Sequence, residues 1–229
     1  LRNGQWETLL KTDNTWKISE SEYSIWEISK FGGESLNANN YIPGFADPEL
    51  DDSNWKQATT VQVPDHSVTP QVVELNRIQE NIIPAEIIKL EDQVYLVDMG
   101  KNLTGSVTIQ FPALPKGHEI TMQYSDLLIA KNRNLFKAQS DKPGWKKPDE
   151  RNRLFESQKD KYISSGQAGV FTNKFNYRAF RYLKISNMPV AIDNKAITAQ
   201  LIHTDFKQTA EFSCSDEMLN NIHDLFAHT

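Results

Sequence analysis

Cysteine is nearly missing: Cys214 is the only one in 229 residues. A single thiol excludes an internal disulfide framework and any multi-cysteine metal site, and it leaves the redox compartment open. Long apolar runs are missing too; none approaches the roughly 20 residues a membrane-spanning helix needs. The opening "LRNGQWETLL" lacks the basic stretch and apolar core of a signal peptide. The first residue is Leu1, so a processed or excised piece is the expectation. Positive charge is not in excess, and a net charge of −5 argues against a surface built for nucleic-acid phosphates. Neither a nucleic-acid nor a membrane partner is expected.

Familiar catalytic and metal patterns are also lacking. His66, His118, His203, His223 and His228 are scattered, without zinc-type spacing. No Ser-His-Asp arrangement and no phosphate-cradling glycine loop can be read.

What is present is a β-rich chain. Hydrophobic residues make up 38% and aromatics 10%, enough for packed cores and too much for disorder. "VYLVDMG" (94–100) and "GSVTIQF" (105–111) read as two alternating strands joined by the polar "KNLT". "HEITMQYSDLLI" (118–129), "KYISSG" (161–166), two strands within 169–186 and "KAITAQLIHTDF" (195–206) follow, with "TAEFSCS" (209–215) as a short last strand or extended link. Short strands split by Pro, Gly and Asn clusters predict an all-β chain, an antiparallel, jelly-roll-like sandwich.

Residues 1–70 hold four of the five tryptophans. Proline-bearing stretches at 62–71 and 80–87 suggest a linker, which places a boundary near residue 75. The expected units are a β domain, or part of one, over 1–75, a β-sandwich over 76–211 and a helical start over 212–229. A polar insertion spans 130–158 and carries a lone Trp145; loops of that length are uncommon in compact domains. In the last segment, Ser213 or Ser215 can cap a helix, with Asp216 and Glu217 in its first turn. Met218, Leu219, Ile222, Leu225 and Phe226 then form one apolar stripe at helical spacing.

Taken in order, "VYLVDMGKNLTGSVTIQF", "ITMQYSDLL", "KDKYISSG", "FNYRAFRYLKI" and "LIHTDFKQTAEFSCSDEMLNNIHD" resemble consecutive segments of the accessory β-sandwich region of bacterial α-L-rhamnosidases, glycoside hydrolase family 78. Upstream, "GGESLNANNYIPGFADPELDDSNWKQA" is similar to a further segment of the family. The chain departs from the pattern at Ala179, where the family has Gly, at Asp126, where it has Glu, and at Asn37 and Asn39, where it has Asp and Arg.

The resemblance implies a parent enzyme that cleaves terminal α-L-rhamnosyl bonds with inversion. Its catalytic carboxylates would lie in an (α/α)₆ barrel that residues 212–229 only begin, so no residue here is assigned a catalytic role. The fragment itself is expected to be inactive, with its own missing catalytic domain and carbohydrate as partners and a periplasmic or secreted location. The alternative is a stand-alone carbohydrate-binding or adhesion module.

Some relatives carry a calcium-dependent rhamnose-binding module. On that resemblance the candidate sugar contacts are Trp145, Trp55, Tyr41, Asn37 and Asn39, and the candidate calcium ligands are Asp51 and Asp52; no other cofactor is expected. Trp55 can equally be a core residue, and "PELDDSNW" reads as a turn. Asp98, beside "GKN", reads as a structural residue bonded to turn amides. Arg181 reads as a structural arginine, paired to an acid or stacked on a ring.

Overall fold

A computed structural model of the chain describes residues 12–26, 33–62, 69–126, 158–207 and 209–227. Trp145 and most of the polar insertion lie outside the described residues. The elements in order are β1 (Lys17–Ile18), β2 (Tyr23–Trp26), β3 (Gly33–Asn37), β4 (Lys56–Gln57), β5 (Asn76–Ile82), β6 (Glu86–Glu91), β7 (Val94–Phe111), β8 (Glu119–Ser125), β9 (Lys159–Ile163), β10 (Gly169–Thr172), β11 (Arg178–Ser186), β12 (Ile197–Thr204) and one helix, α1 (Glu217–Ala227). β1 and β4 form a two-stranded sheet. The other strands belong to one ten-stranded sheet in the order β2-β3-β9-β8-β11-β7-β12-β5, with β6 and β10 also paired to β7.

β7 organises this sheet. The expected polar joint "KNLT" does not interrupt it; the strand runs 18 residues without a break. The reason is the phase of its apolar residues. Tyr95, Val97, Met99, Leu103, Val107, Ile109 and Phe111 are all buried and all odd-numbered, so a period of two persists through the polar segment. The first half of β7 pairs with β6 and with the end of β11; the second half pairs with β12 and β10. One strand thereby serves two groups of partners, and the sheet encloses a single hydrophobic cluster. Ile120, Met122, Tyr162, Phe171, Phe180, Leu183 and Ile185 fill that cluster, each fully buried. Burying a side chain of this size contributes about 1.5–3 kcal/mol.

The fold is β-rich with a short helix near its C-terminal end, and nearly all of its pairings are antiparallel. The exception is β3, which runs parallel to β9. Through it, residues from the first third of the chain are hydrogen-bonded into the same sheet as the sandwich strands.

Of the two readings of "TAEFSCS", the link rather than the strand is found, and the backbone N–H and C=O of Cys214 are both taken by the Asn220 side chain, at 2.9 and 2.8 Å. The cap of α1 is Asp216, not Ser213 or Ser215: its carboxylate accepts from the N–H groups of Met218 at 2.9 Å and Leu219 at 3.4 Å. In β11 the faces do not keep one alternation. Arg178 and Phe180 are buried, but so are Leu183 and Ile185, because a bulge between Phe180 and Tyr182 shifts the register by one residue. Phe175 and Tyr177 precede the strand altogether.

Gly105 of β7 lies tight against the backbone of β12. A Cβ built there would lie 1.8 Å from the carbonyl oxygen of Gln200, a backbone atom that cannot swing aside. Gly105→Ala is therefore expected to cost about 1–3 kcal/mol or more in denaturant unfolding. Unchanged stability would contradict this account of the β7–β12 contact.

Candidate functional site

Four charged or amide side chains meet inside the sandwich. Glu34 of β3, Asp160 of β9, Asn173 after β10 and Arg178 of β11 are all buried. Asp160 Oδ1 accepts from Arg178 Nη2 at 2.7 Å and from the backbone N–H of Glu34 at 2.8 Å. Asp160 Oδ2 accepts from Asn173 Nδ2 at 2.7 Å, while Asn173 Oδ1 accepts from the N–H of Val107 at 3.1 Å. The Glu34 carboxylate accepts from three consecutive backbone amides, Lys174 at 2.8 Å, Phe175 at 3.1 Å and Asn176 at 2.7 Å. Buried charge is costly unless it is paired and hydrogen-bonded, and here both carboxylates accept charge-assisted or amide hydrogen bonds. Tyr124 lies beside them, its ring 5.8 Å from the Arg178 guanidinium and edge-on to Phe180 at 5.2 Å. Burial first, and then the Asp160 carboxylate, pushes its phenol well above the usual range.

This network was not singled out from the sequence, although a signal was there. Asp160 shares a strand face with Tyr162, Glu34 with Leu36 and Arg178 with Phe180, so alternation alone places each charge on a core-facing row.

Asp98 and Arg181 form a second ion pair on β7 and β11. Arg181 Nε donates to Asp98 Oδ1 at 2.8 Å and Nη2 to Oδ2 at 3.0 Å, a two-pronged contact. Asp98 Oδ1 also accepts from the N–H of Gly100 at 2.7 Å, where φ is +81°. The guanidinium lies 5.1 Å from the Tyr182 ring centroid. The Arg181 hydrogen bond, helped by the Gly100 amide, holds the Asp98 carboxyl below its ordinary 3.8 against a smaller opposing effect of burial.

Trp145 lies outside the described residues; of the other candidate sugar contacts, Asn37, Asn39 and Tyr41 fall on or beside the 3₁₀ turn Ala38–Asn40, and Trp55 directly precedes β4. Asn37 Oδ1 accepts from the N–H and Nδ2 of Asn39 at 3.1 and 2.8 Å, and Asn39 Nδ2 also reaches the carbonyl of Ser164 at 3.1 Å. Both side chains are engaged in fastening a 3₁₀ turn to the end of β9. Tyr41 is exposed, and Trp55 is half-buried and stacks on Phe45 at 5.9 Å. Asp51 caps its own turn through the N–H of Ser53 at 3.0 Å, and Asp52 is paired with Lys17 at 2.6 Å. Among the described residues no group of three or more His, Cys, Asp or Glu could hold a metal ion.

Helix α1 leaves its stripe uncovered. Met218, Leu219, Ile222, Leu225 and Phe226 are all exposed, Phe226 at 80%. The segment leading into α1 is fastened to the helix itself, by Asn220 bracketing Cys214 and by Phe212 against His223 at 5.1 Å.

Two family models match the chain. The bacterial alpha-L-rhamnosidase concanavalin-like domain covers residues 88–203, and the alpha-L-rhamnosidase N-terminal domain covers residues 1–80. An alpha-L-rhamnosidase of Formosa agariphila is 26% identical over 93% of this chain and 21% of its own length. A solved structure of alpha-L-rhamnosidase from Dictyoglumus thermophilum superposes with a TM-score of 0.79 at 25% identity, over 95% of this chain and 23% of that one. The rhamnosidase of Aspergillus terreus shares the fold, with a TM-score of 0.75 at 20% identity over 96% of this chain and 24% of that one. The chain thus spans about a fifth of the length of the curated relatives it matches.

The Asp98–Arg181 geometry gives a pH-dependent expectation. A carboxyl lowered by folding contributes stability above its ordinary 3.8, and that contribution is lost as pH falls below this value. Arg181→Ala should lower the Tm at neutral pH, leave any sugar affinity unchanged, and differ less from the parent as pH drops below 3.8. A gap that stays constant into acid would assign the effect to packing on Tyr182; lost sugar binding with intact folding would give Arg181 a ligand role.

Proposed function

The chain belongs to the bacterial alpha-L-rhamnosidase family through its concanavalin-like domain, and we propose that it is a non-catalytic β-sandwich support in an enzyme that hydrolyses terminal α-L-rhamnosyl residues. Inverting hydrolysis needs one carboxylic acid to protonate the leaving oxygen and one carboxylate to activate water, roughly 6.5–9.5 Å apart across an open site. The buried Glu34 and Asp160 and the partly buried Asp98 are each engaged in structural bonds. Glu34 is held by three amides, Asp160 by Arg178 and Asn173, and Asp98 by Arg181.

The observation that carries the proposal is the uncovered stripe of α1 that follows the sandwich. An amphipathic helix is stabilised mainly by packing its apolar face. In this reading the stripe docks on a helical catalytic domain, which the sandwich supports. A self-contained carbohydrate-binding module would instead bury the stripe on its own sheet.

The test uses the purified chain. It should release no p-nitrophenol from p-nitrophenyl α-L-rhamnopyranoside. A Leu219→Asp/Ile222→Asp variant should bind less of an apolar fluorescent dye while the sandwich keeps its Tm. Turnover by the chain would contradict the non-catalytic role, and a clear drop in Tm would show that the stripe packs on the sandwich.

A further inference from the structure

The Glu34 carboxylate fixes more than the core. Its three amide partners, Lys174, Phe175 and Asn176, lie in the loop between β10 and β11, so the backbone of that loop is tied to a buried side chain. The same loop turns large rings outward: Phe175 is 61% exposed and Tyr177 57%. Phe175 meets the half-buried Tyr23 edge-on, with centroids 6.1 Å apart at 77°. The Tyr23 hydroxyl is anchored on the carbonyl of Thr172 at 3.0 Å, and burial pushes its phenol up to about 12, so the ring stays neutral. Lys174 Nζ lies 4.4 Å from the Tyr23 centroid and 3.9 Å from Glu22 Oε1.

We infer that Phe175, backed by Tyr23 and the Lys174–Glu22 pair, and its loop neighbour Tyr177 form a binding platform for a neutral pyranose sugar. The inference rests on the reading above that the chain works in a glycoside hydrolase. Three features favour a sugar. The apolar face of a pyranose matches an aromatic ring in size, and the loop backbone that carries the rings is tied to Glu34, which lowers the entropic cost for a small ligand. An ammonium donor and a carboxylate acceptor stand beside the rings, as hydroxyl groups on a sugar edge require. Because Lys174 and Glu22 offset each other, the platform carries no net charge to attract an ion, which suits an uncharged ligand.

The probe is methyl α-L-rhamnopyranoside, observed by saturation-transfer NMR on the whole chain. Binding should be detected. Phe175→Ala and Tyr177→Ala should each weaken it at least ten-fold without lowering the Tm, since both rings are exposed, and Trp55→Ala should leave it unchanged. No transfer with the parent chain would overturn the platform, as would transfer that survives both loop substitutions or that disappears only in Trp55→Ala. A loop that serves as a contact for another domain gives the first of these results. If the sugar fails to bind while the chain stays inert toward the nitrophenyl rhamnoside and its helix stripe stays exposed, the platform falls and the supporting role stands.

Discussion

The structure depends on two carboxylates that have left water. Glu34 and Asp160 are fully buried, yet one guanidinium, that of Arg178, lies among them. The balance of charge is made by oriented dipoles. Three backbone N–H groups point at Glu34, and the amides of Asn173 and of the Glu34 backbone point at Asp160. A buried pair of this kind adds little net stability compared with well-packed apolar groups, but breaking it by removing one partner costs about 3–5 kcal/mol. Its effect is to select one arrangement. Sliding β3 by one residue against β9 would place Glu34 on the opposite face and leave its carboxylate far from these amides.

The partners come from distant parts of the chain. Glu34 lies in the stretch matched by the N-terminal family model, while Asp160, Asn173 and Arg178 lie in the stretch matched by the concanavalin-like model. The parallel β3–β9 pairing and the Glu34 hydrogen bonds cross between them. The two matched regions are therefore joined through the hydrogen-bonded core of one sheet, not by a linker alone. For a support this has a mechanical meaning: force on the N-terminal strands reaches the sandwich core directly. It also ties down the backbone of the β10–β11 loop through Glu34, while Asp160 makes the inner salt bridge with Arg178.

Much of this was readable from residues, and the limits have physical causes. The strands between 94 and 204 follow from alternation and from their Pro, Gly and Asn punctuation. The unbroken β7 was also legible, in the odd-numbered row from Tyr95 to Phe111, but the polar "KNLT" masked it because surface residues occupy the even positions and Lys101 an exposed odd one. The bulge in β11 was not legible, since a single inserted residue leaves no composition signal. The parallel β3–β9 pairing joins segments more than 120 residues apart in sequence, as the Glu34–Asp160 bond does, and no local pattern encodes it. Asp98 and Arg181 were marked individually, but their pairing across β7 and β11 needs the register. Asn37 and Asn39 were marked as polar residues in a glycine- and asparagine-rich stretch, but their bond to each other and that of Asn39 to Ser164 depend on the position of β9 and could not be read from it.

The central claim is that Glu34 and Asp160 make the β3 segment part of the sandwich core. Native-state hydrogen exchange at the amides of Lys174, Phe175 and Asn176 tests it most directly. The account predicts that these three amides exchange only with global unfolding, at the same free energy as the central amides of β7 and β11. If they exchange through a low-energy local opening while β7 and β11 stay protected, the buried carboxylates do not join the two regions.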